Sequence, residues 1–487
     1  MRVNPHLLDA NESVAREWLA LVASHNHPDA PRSHVEAIAS QHRNRHPCKV
    51  VQRFQGAFNY CFRVRFDHDG NEYIIRFPIP GYTMSPLRKT QNEIAVMRFI
   101  QINTTIPIPK ILGSGVADGE FDGLGPYIIM EFVKGTSLDD LLLEDDGEWS
   151  LKKDCPVDTI KTVYRQVANI YLELFQHAFS KIGSLSMVED DRLSPNWRVT
   201  SGPLTFKMNE VERMGGVKVG ASDGPFDLAA DYCKALADQS LCHLLSNPRA
   251  SQGEQEFNRD YKSIHALRSL SERFNTDSGT HNHHRLFCDD LRFGNILVDE
   301  SYRIVAVLDW EFCYVAPQSF LASPPSWLIG TEPFEWKNKD VLFYQGQVDM
   351  FLELLEEEEE ERSPADHTLS ALMRQSVQDG TFWYNLAIRE SFPLSDIMSH
   401  CQDLEAFQTV TPSKHLACGR MDYLHEAQPT RRWNKRYLTS LTSLPWTVWQ
   451  ALPRPYLPLF NRLANWLQRP GGDEDVHVSS QALSGQQ

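Results

Sequence analysis

The chain has 487 residues, 41% of them hydrophobic and 23% charged, a globular composition with length for two or three cores that excludes a fibrous or wholly disordered protein. Its formal net charge of −16 argues against a nucleic-acid binder, which would carry a basic face. Nine cysteines, odd in number, scattered and without Cys-x-x-Cys spacing, indicate neither a disulfide framework nor a zinc site and fit a reducing compartment.

The first twenty residues carry Arg2, Asp9, Glu12, Arg16 and Glu17 and no apolar core of secretory length. No later run approaches the roughly 20 apolar residues of a membrane span, so the expectation is a cytoplasmic protein without stable membrane insertion. Residues 1–49 read as a helical extension with two short helices, the first capped by Asp9 or Asn11 and the second by Ser33. From Val50 the period becomes two. Phe62, Val64 and Phe66 alternate with Arg63 and Arg65, and Asp67-His68-Asp69-Gly70 turns the chain into Glu72–Phe77, an antiparallel meander. The preceding turn, Gln55 to Tyr60, can fold over phosphates, because Gly56 and Asn59 tolerate an open backbone. With a single glycine it reads more simply as a plain hairpin.

Arg76 falls on the next strand and Glu93 near the start of a helix, Lys89–Ile100, whose Ile94, Met97 and Ile100 share a face. A strand cation paired with a helix acid places charge against nucleotide phosphates, and a surface ion pair is the plainer alternative. Gly125–Gly135 reads as a buried strand ending in a glycine turn, with Glu131 and Val133 flanking backbone groups that suit an adenine edge, and a plain core strand with a polar end is the alternative. Residues 50–134 therefore form a small sheet-bearing lobe.

Beyond Gly135 the chain turns helical to about residue 424. Val157–Phe179 carries Ile160, Val163, Tyr164, Val167, Ile170, Tyr171 and Leu174, an apolar stripe expected to bury against the hairpin described next. Residues 183–225 read as an irregular insertion, followed by helices near 226–246 and 254–275. His281, His283 and His284 form a His-rich turn that suits a solvated loop better than a metal site. The six acids Glu356–Glu361 read as a solvated helix end, and 375–391 as a further helix. Residues 425–487 form an extension able to take a protein partner, its last ~17 residues disordered.

The informative stretch is Phe287-Cys-Asp-Asp290-Leu-Arg-Phe-Gly-Asn295-Ile-Leu-Val298, followed by Leu308-Asp309-Trp-Glu311. Short apolar strands at Ile296–Val298 and Ile304–Leu308 return Asn295 and Asp309 to one end of a hairpin. That spacing suits phosphoryl transfer: Asp290 deprotonates an attacking hydroxyl, and Asn295 and Asp309 hold the metal ions that neutralise phosphates.

The order of Arg76, Glu93, the Tyr127–Gly135 segment, Asp290-Leu-Arg-Phe-Gly-Asn295 and Asp309-Trp-Glu311 resembles the aminoglycoside phosphotransferase family, in its large fungal branch, over residues 50–395. The resemblance implies an α+β, protein-kinase-like two-lobe fold, with a small antiparallel-sheet lobe and a larger, mainly helical lobe. It further implies ATP and magnesium as cofactors and a small-molecule hydroxyl as acceptor. Asp290 becomes the base, Asn295 and Asp309 the magnesium ligands, Arg76 a phosphate contact and Glu93 its orienting partner. Two departures stand out: Cys288 where the family has His, and Arg76 where it has Lys. They leave open a pseudokinase that binds nucleotide or serves as a scaffold.

Overall fold

The computed structural model describes residues 4–25, 33–117, 123–144, 150–188, 196–216, 224–247, 250–251, 253–275, 284–362, 368–392, 394–400 and 407. All of them belong to one unit, Met1–Thr411. The extension 425–487, His281 and His283 lie outside the described residues.

The small lobe is a five-stranded antiparallel sheet in the order β1-β2-β3-β5-β4, from β1 (Cys48–Gln55), β2 (Asn59–Phe66), β3 (Glu72–Pro78), β4 (Ile111–Ala117) and β5 (Gly125–Glu131). Period-two patterning sends Phe62, Val64 and Phe66 to one face, where they meet Ile75 and Phe77. That face is covered by α1 (Pro5–His25) and α2 (His34–Gln41), which contribute Ala15, Trp18, Val22, Val35 and Ile38. The opposite side takes α3 (Pro86–Asn103), whose Val96, Met97 and Ile100 join the main core with Ile128 and Met130. Ser33 caps α2, accepting from the Glu36 N–H. Asp9 and Asn11 cap nothing: α1 begins at Pro5 and runs through both, and Asn11 Nδ2 donates to the Arg213 carbonyl at 2.7 Å.

Coil from Phe132 to Gly135 leads to β6 (Thr136–Ser137), which pairs with the hairpin at 296–307: Leu297 lies opposite Ser137 and Val298 opposite Thr136. Gly135 is required there, because a Cβ would meet Val305 Cγ2 at 2.9 Å and Leu297 Cβ at 3.0 Å. The large lobe follows: α4 (Leu138–Leu142), α5 (Val157–Phe175), β7 (Ser184–Val188), β8 (Asn196–Ser201), α6 (Phe206–Gly215), α7 (Ala229–Ser246) and α8 (Glu254–Phe274). Then come β9 (His284–Cys288), β10 (Ile296–Val298), β11 (Ile304–Val307), β12 (Cys313–Pro317), α9 (Gln318–Leu321), α10 (Asn338–Arg362), α11 (Thr368–Asp379), α12 (Thr381–Arg389) and α13 (Leu394–Ser399). The result is an α+β, protein-kinase-like fold, a small antiparallel-sheet lobe joined to a larger helical one.

Two expectations are corrected and one is extended. The 183–225 stretch is not irregular: β7 and β8 form a hairpin, and α6 is capped by Thr205, which accepts from the Met208 N–H. Its elements are short, so no long apolar period marks them. The stripe of α5 is buried in one core with Ile296, Val298 and Val307 of the hairpin, and its ring contacts run to α10, with Tyr164 and Tyr171 at 6.0 and 6.1 Å from Phe351. The hairpin is held from α5 by a polar residue, Gln166, which accepts from the Ile304 N–H at 2.8 Å and donates to the Tyr302 carbonyl at 2.7 Å. The acid run is partly buried, with Glu358 on Arg165 and Glu359 accepting from the Leu369 N–H at the start of α11.

Candidate active site

The hairpin delivers what its spacing implies. Ile296 pairs with Val307 and Leu297 with Ala306, and the Leu308 N–H donates to the Asn295 carbonyl at 2.7 Å, so Asn295 and Asp309 close the same end. Asp309 adopts a left-handed conformation (φ 62°, ψ 58°), an uncommon position in which Asp is among the better-tolerated residues. A second ribbon, β9 with β12, places Cys288 opposite Cys313, and the Asp289 N–H donates to the Phe312 carbonyl at 3.3 Å. Asp290 emerges from the end of that ribbon.

Asn295 Nδ2 donates to the Asp290 carbonyl at 2.7 Å and to Asp290 Oδ2 at 3.2 Å. With its nitrogen so committed, Asn295 has its oxygen to offer a cation. Arg292 braces the other carboxylate oxygen of Asp290 at 3.2 Å and reaches Asp139 Oδ2 on α4 at 3.1 Å. Gly294 permits this crossing, since a Cβ would lie 2.3 Å from Asp139 Oδ2. Burial, then the charge of Asp309, pushes the Asp290 carboxyl up from 3.8 to about 7, against the pull of Arg292 and the Asn295 bond. Asp289, adjacent in sequence, is not among the leading causes. It turns the other way, accepting from the Phe206 N–H at 3.3 Å and from Arg389 at 3.4 Å.

A pH dependence follows. A carboxyl used as a general base works only when ionised, so any transfer that runs through Asp290 should rise with pH through about 7 and level above it. The same group has the opposite effect on stability. A folded-state pKa above the ordinary value means that the folded protein binds this proton more tightly than the unfolded chain. Stability is therefore lost as pH rises from about 4 to about 7. Without nucleotide or metal, Asp290→Asn should melt above the wild type at pH 8, and the gap should narrow as pH falls toward 5.

Arg76 sits on β3 and is buried, ion-paired with Glu93 of α3 and bonded through Nη1 to Asp309 Oδ1 at 2.8 Å. One guanidinium thus spans two carboxylates, a task for which the fork is suited and a lysine ammonium is not. Burial opposes its charge, but Asp309 and Glu311 outweigh burial and keep Arg76 protonated. The expected Arg76–Glu93 partnership is present, while the far end of Arg76 rests on the proposed metal ligand.

Asn59 departs from the expectation. Its side chain is buried, donating to Glu311 Oε2 at 2.7 Å and accepting from Lys89 Nζ at 3.2 Å, so it faces a carboxylate and an ammonium in place of an open anion cradle. The Gly56 N–H donates back to the Asn59 carbonyl at 2.9 Å, and a Cβ on Gly56 would meet only ordinary contact at 3.6 Å. The turn is a closed hairpin. At the hinge, the Glu131 N–H donates to the Lys110 carbonyl at 2.9 Å, and Val133 lies beyond the sheet in the connecting coil. The Glu131 amide is thus already committed.

Lys89 is the residue that sequence reading passed over. It lies one helical turn before Glu93, on the same face of α3, a spacing that could have drawn attention to it. Cys288, where a bracing His was anticipated, is buried and aims its Sγ at the Asp309 carbonyl at 3.7 Å, holding the strand end from below. Lys207 of α6 donates to the Ile388 carbonyl at 2.8 Å; burial lowers its pKa to about 7, against Glu390 and Asp289.

Among the described residues no group of three or more His, Cys, Asp or Glu forms a ready metal cage. Asn295 and Asp309 nonetheless fit magnesium, which is typically held by one or two carboxylates, waters and substrate phosphates rather than by an all-protein shell.

No family model matches the chain. "Altered inheritance of mitochondria protein 9, mitochondrial" of Clavispora lusitaniae is 21% identical over 359 residues, covering 66% of this chain and 54% of that protein. Its namesake in Yarrowia lipolytica is 22% identical over 318 residues, covering 57% and 51%. "Clavilactone A biosynthesis cluster protein Y" of Ampulloclitocybe clavipes is 27% identical over 286 residues, covering 55% and 62%. The chain spans about half the length of the first of these relatives. Their mitochondrial names overturn the expectation of a cytoplasmic protein. Among solved structures, the chain is similar to Plasmodium vivax ethanolamine kinase (TM-score 0.41, 12% identity, 85% of this chain and 94% of that one). It is also similar to a microcompartment-associated aminopropanol kinase (TM-score 0.40, 13% identity, 80% and 94%).

Proposed function

We propose that the chain is a phosphotransferase that moves the γ-phosphate of ATP to a hydroxyl of a small molecule, with magnesium. The observation that carries this reading is the convergence of Asp290, Asn295 and Asp309 at the shared end of two ribbons, with Arg76 fixing Asp309 from the small lobe. Magnesium, when bound, would neutralise phosphate charge. Asn295 and Asp309 would hold it through their oxygens. Asp290 accepts the proton of the attacking hydroxyl, and Asn295 and Arg292 keep its carboxylate aimed. In this class of reaction positioning and charge supply most of the acceleration. The small lobe is assigned to residues 50–134 and the large lobe to the described residues from 135 onward. By analogy with the relatives' names, the site of action is the mitochondrion.

A second reading, a nucleotide-binding or scaffolding pseudokinase, is favoured by one observation, the closed turn at Gly56–Asn59. Thermal-shift titration separates the phosphotransferase from the scaffold, and product formation separates it from a pseudokinase that only binds nucleotide. The phosphotransferase reading expects ATP to raise the melting temperature only when magnesium is present. No shift with ATP, with or without magnesium, would overturn it and leave the scaffold.

A further inference from the structure

One face of α3 carries three polar residues at helical spacing, Lys89, Asn92 and Glu93, each only 3% exposed. All three are directed at the segment that begins with Asp309. Glu93 reaches it through Arg76. Asn92 Nδ2 donates to the Cys313 carbonyl at 2.8 Å. Lys89 is ion-paired with Glu311, which is 1% exposed, and donates to Asn59 Oδ1 at 3.2 Å, while Asn59 Nδ2 closes the triangle on Glu311 Oε2 at 2.7 Å. The rings of Phe58 and Phe312, 5.3 Å apart and edge to face, flank the ammonium at 5.9 and 5.5 Å and keep water from the pair. Phe58 precedes Asn59 in the turn, and Phe312 follows Glu311 in the metal-ligand segment.

A buried lysine–glutamate pair is weak evidence for stability, because desolvating both charges offsets their attraction, and an apolar pair of similar volume is commonly no worse. What the pair does supply is geometry. It ties the turn at 56–59 to the segment 309–311 through a contact that tolerates only a narrow range of positions. We propose that Lys89 is a positioning residue of the metal–nucleotide site: by holding Glu311 against Asn59 it fixes the backbone that carries Asp309. This inference rests on the phosphotransferase reading. It adds a second cation to the one foreseen, Arg76, with a separate line of action on the same segment.

The test is a double-mutant cycle on the full chain with Lys89→Met, Glu311→Gln and the combined variant. Affinity for a fluorescent ATP analogue is read with magnesium and with EDTA, and melting temperature is recorded in parallel. Lys89→Met should melt lower, since Glu311 is left buried without a counter-charge, and the combined variant should recover most of that loss. Magnesium-dependent affinity should fall about tenfold in each single variant, the scale seen when a residue supporting a metal ligand is removed. It should fall no further in the double, because the two residues act as one unit. Affinity in EDTA should match the wild type. Wild-type affinity with magnesium in the combined variant would reduce the pair to a structural element and overturn the proposal. Additive losses approaching about a hundredfold, or equal losses with and without magnesium, would also overturn it. A wild type with no magnesium-dependent binding would instead remove the nucleotide reading, an outcome visible before any variant is made.

Discussion

Asp290→Ala and Asp309→Ala should each abolish ATP-dependent product formation while the protein stays folded. The two losses have different origins. Without Asp290 the hydroxyl loses its proposed proton acceptor, and the adjacent Asp289 does not replace it, being turned to Arg389 and the Phe206 N–H. General-base removal alone is expected to cost about 10²–10⁴-fold. Without Asp309 the cation keeps only Asn295 among its proposed ligands, and Arg76 loses one of its two carboxylates. Asp290→Ala should therefore keep magnesium-dependent ATP binding, and Asp309→Ala should lose it. Retained activity in both variants would remove the phosphotransferase assignment.

The largest effect on stability is expected at Arg76. Its guanidinium is buried between Glu93 and Asp309. Arg76→Met leaves Glu93 in the core without a counter-charge, a change that costs about 3–5 kcal/mol where a buried pair is broken from one side. Denaturant unfolding measures this directly. Arg76→Lys gives the sharper result: an ammonium can satisfy Glu93 but cannot also reach Asp309 in fork geometry. Near-wild-type stability with transfer reduced tenfold or more is expected, the scale for a group that orients a metal ligand. Full activity in Arg76→Lys would show that the two-carboxylate bridge has no part in the chemistry.

The centre of the site was readable because its geometry is local. Ile296–Val298 and Ile304–Val307 are joined by the short turn at Asp299, and a hairpin of that length returns its ends together, so Asn295 and Asp309 follow from spacing alone. Arg76 and Glu93 were legible as a pair because one lies on a strand and the other on the next helix. The second carboxylate on Arg76 was not, since Asp309 reaches it only once the lobes are folded together. Lys89 was missed for the same reason: its acid, Glu311, and its amide, Asn59, lie far apart in the sequence and meet only in the fold. Asn59 misled because a polar residue beside Gly56 looks the same in sequence whether it faces an anion or a buried carboxylate. The 183–225 stretch hid a hairpin and α6 because five- or six-residue strands give too short a period to stand out.

The central claim is tested most directly by transfer of labelled γ-phosphate from ATP to a panel of hydroxylated small molecules in the presence of magnesium, with Asp290→Ala as the blank. The account predicts a labelled product in the wild type that is absent from the blank and absent when magnesium is chelated. Wild-type and Asp290→Ala signals that coincide across the panel, in a protein shown to bind ATP with magnesium, would contradict it.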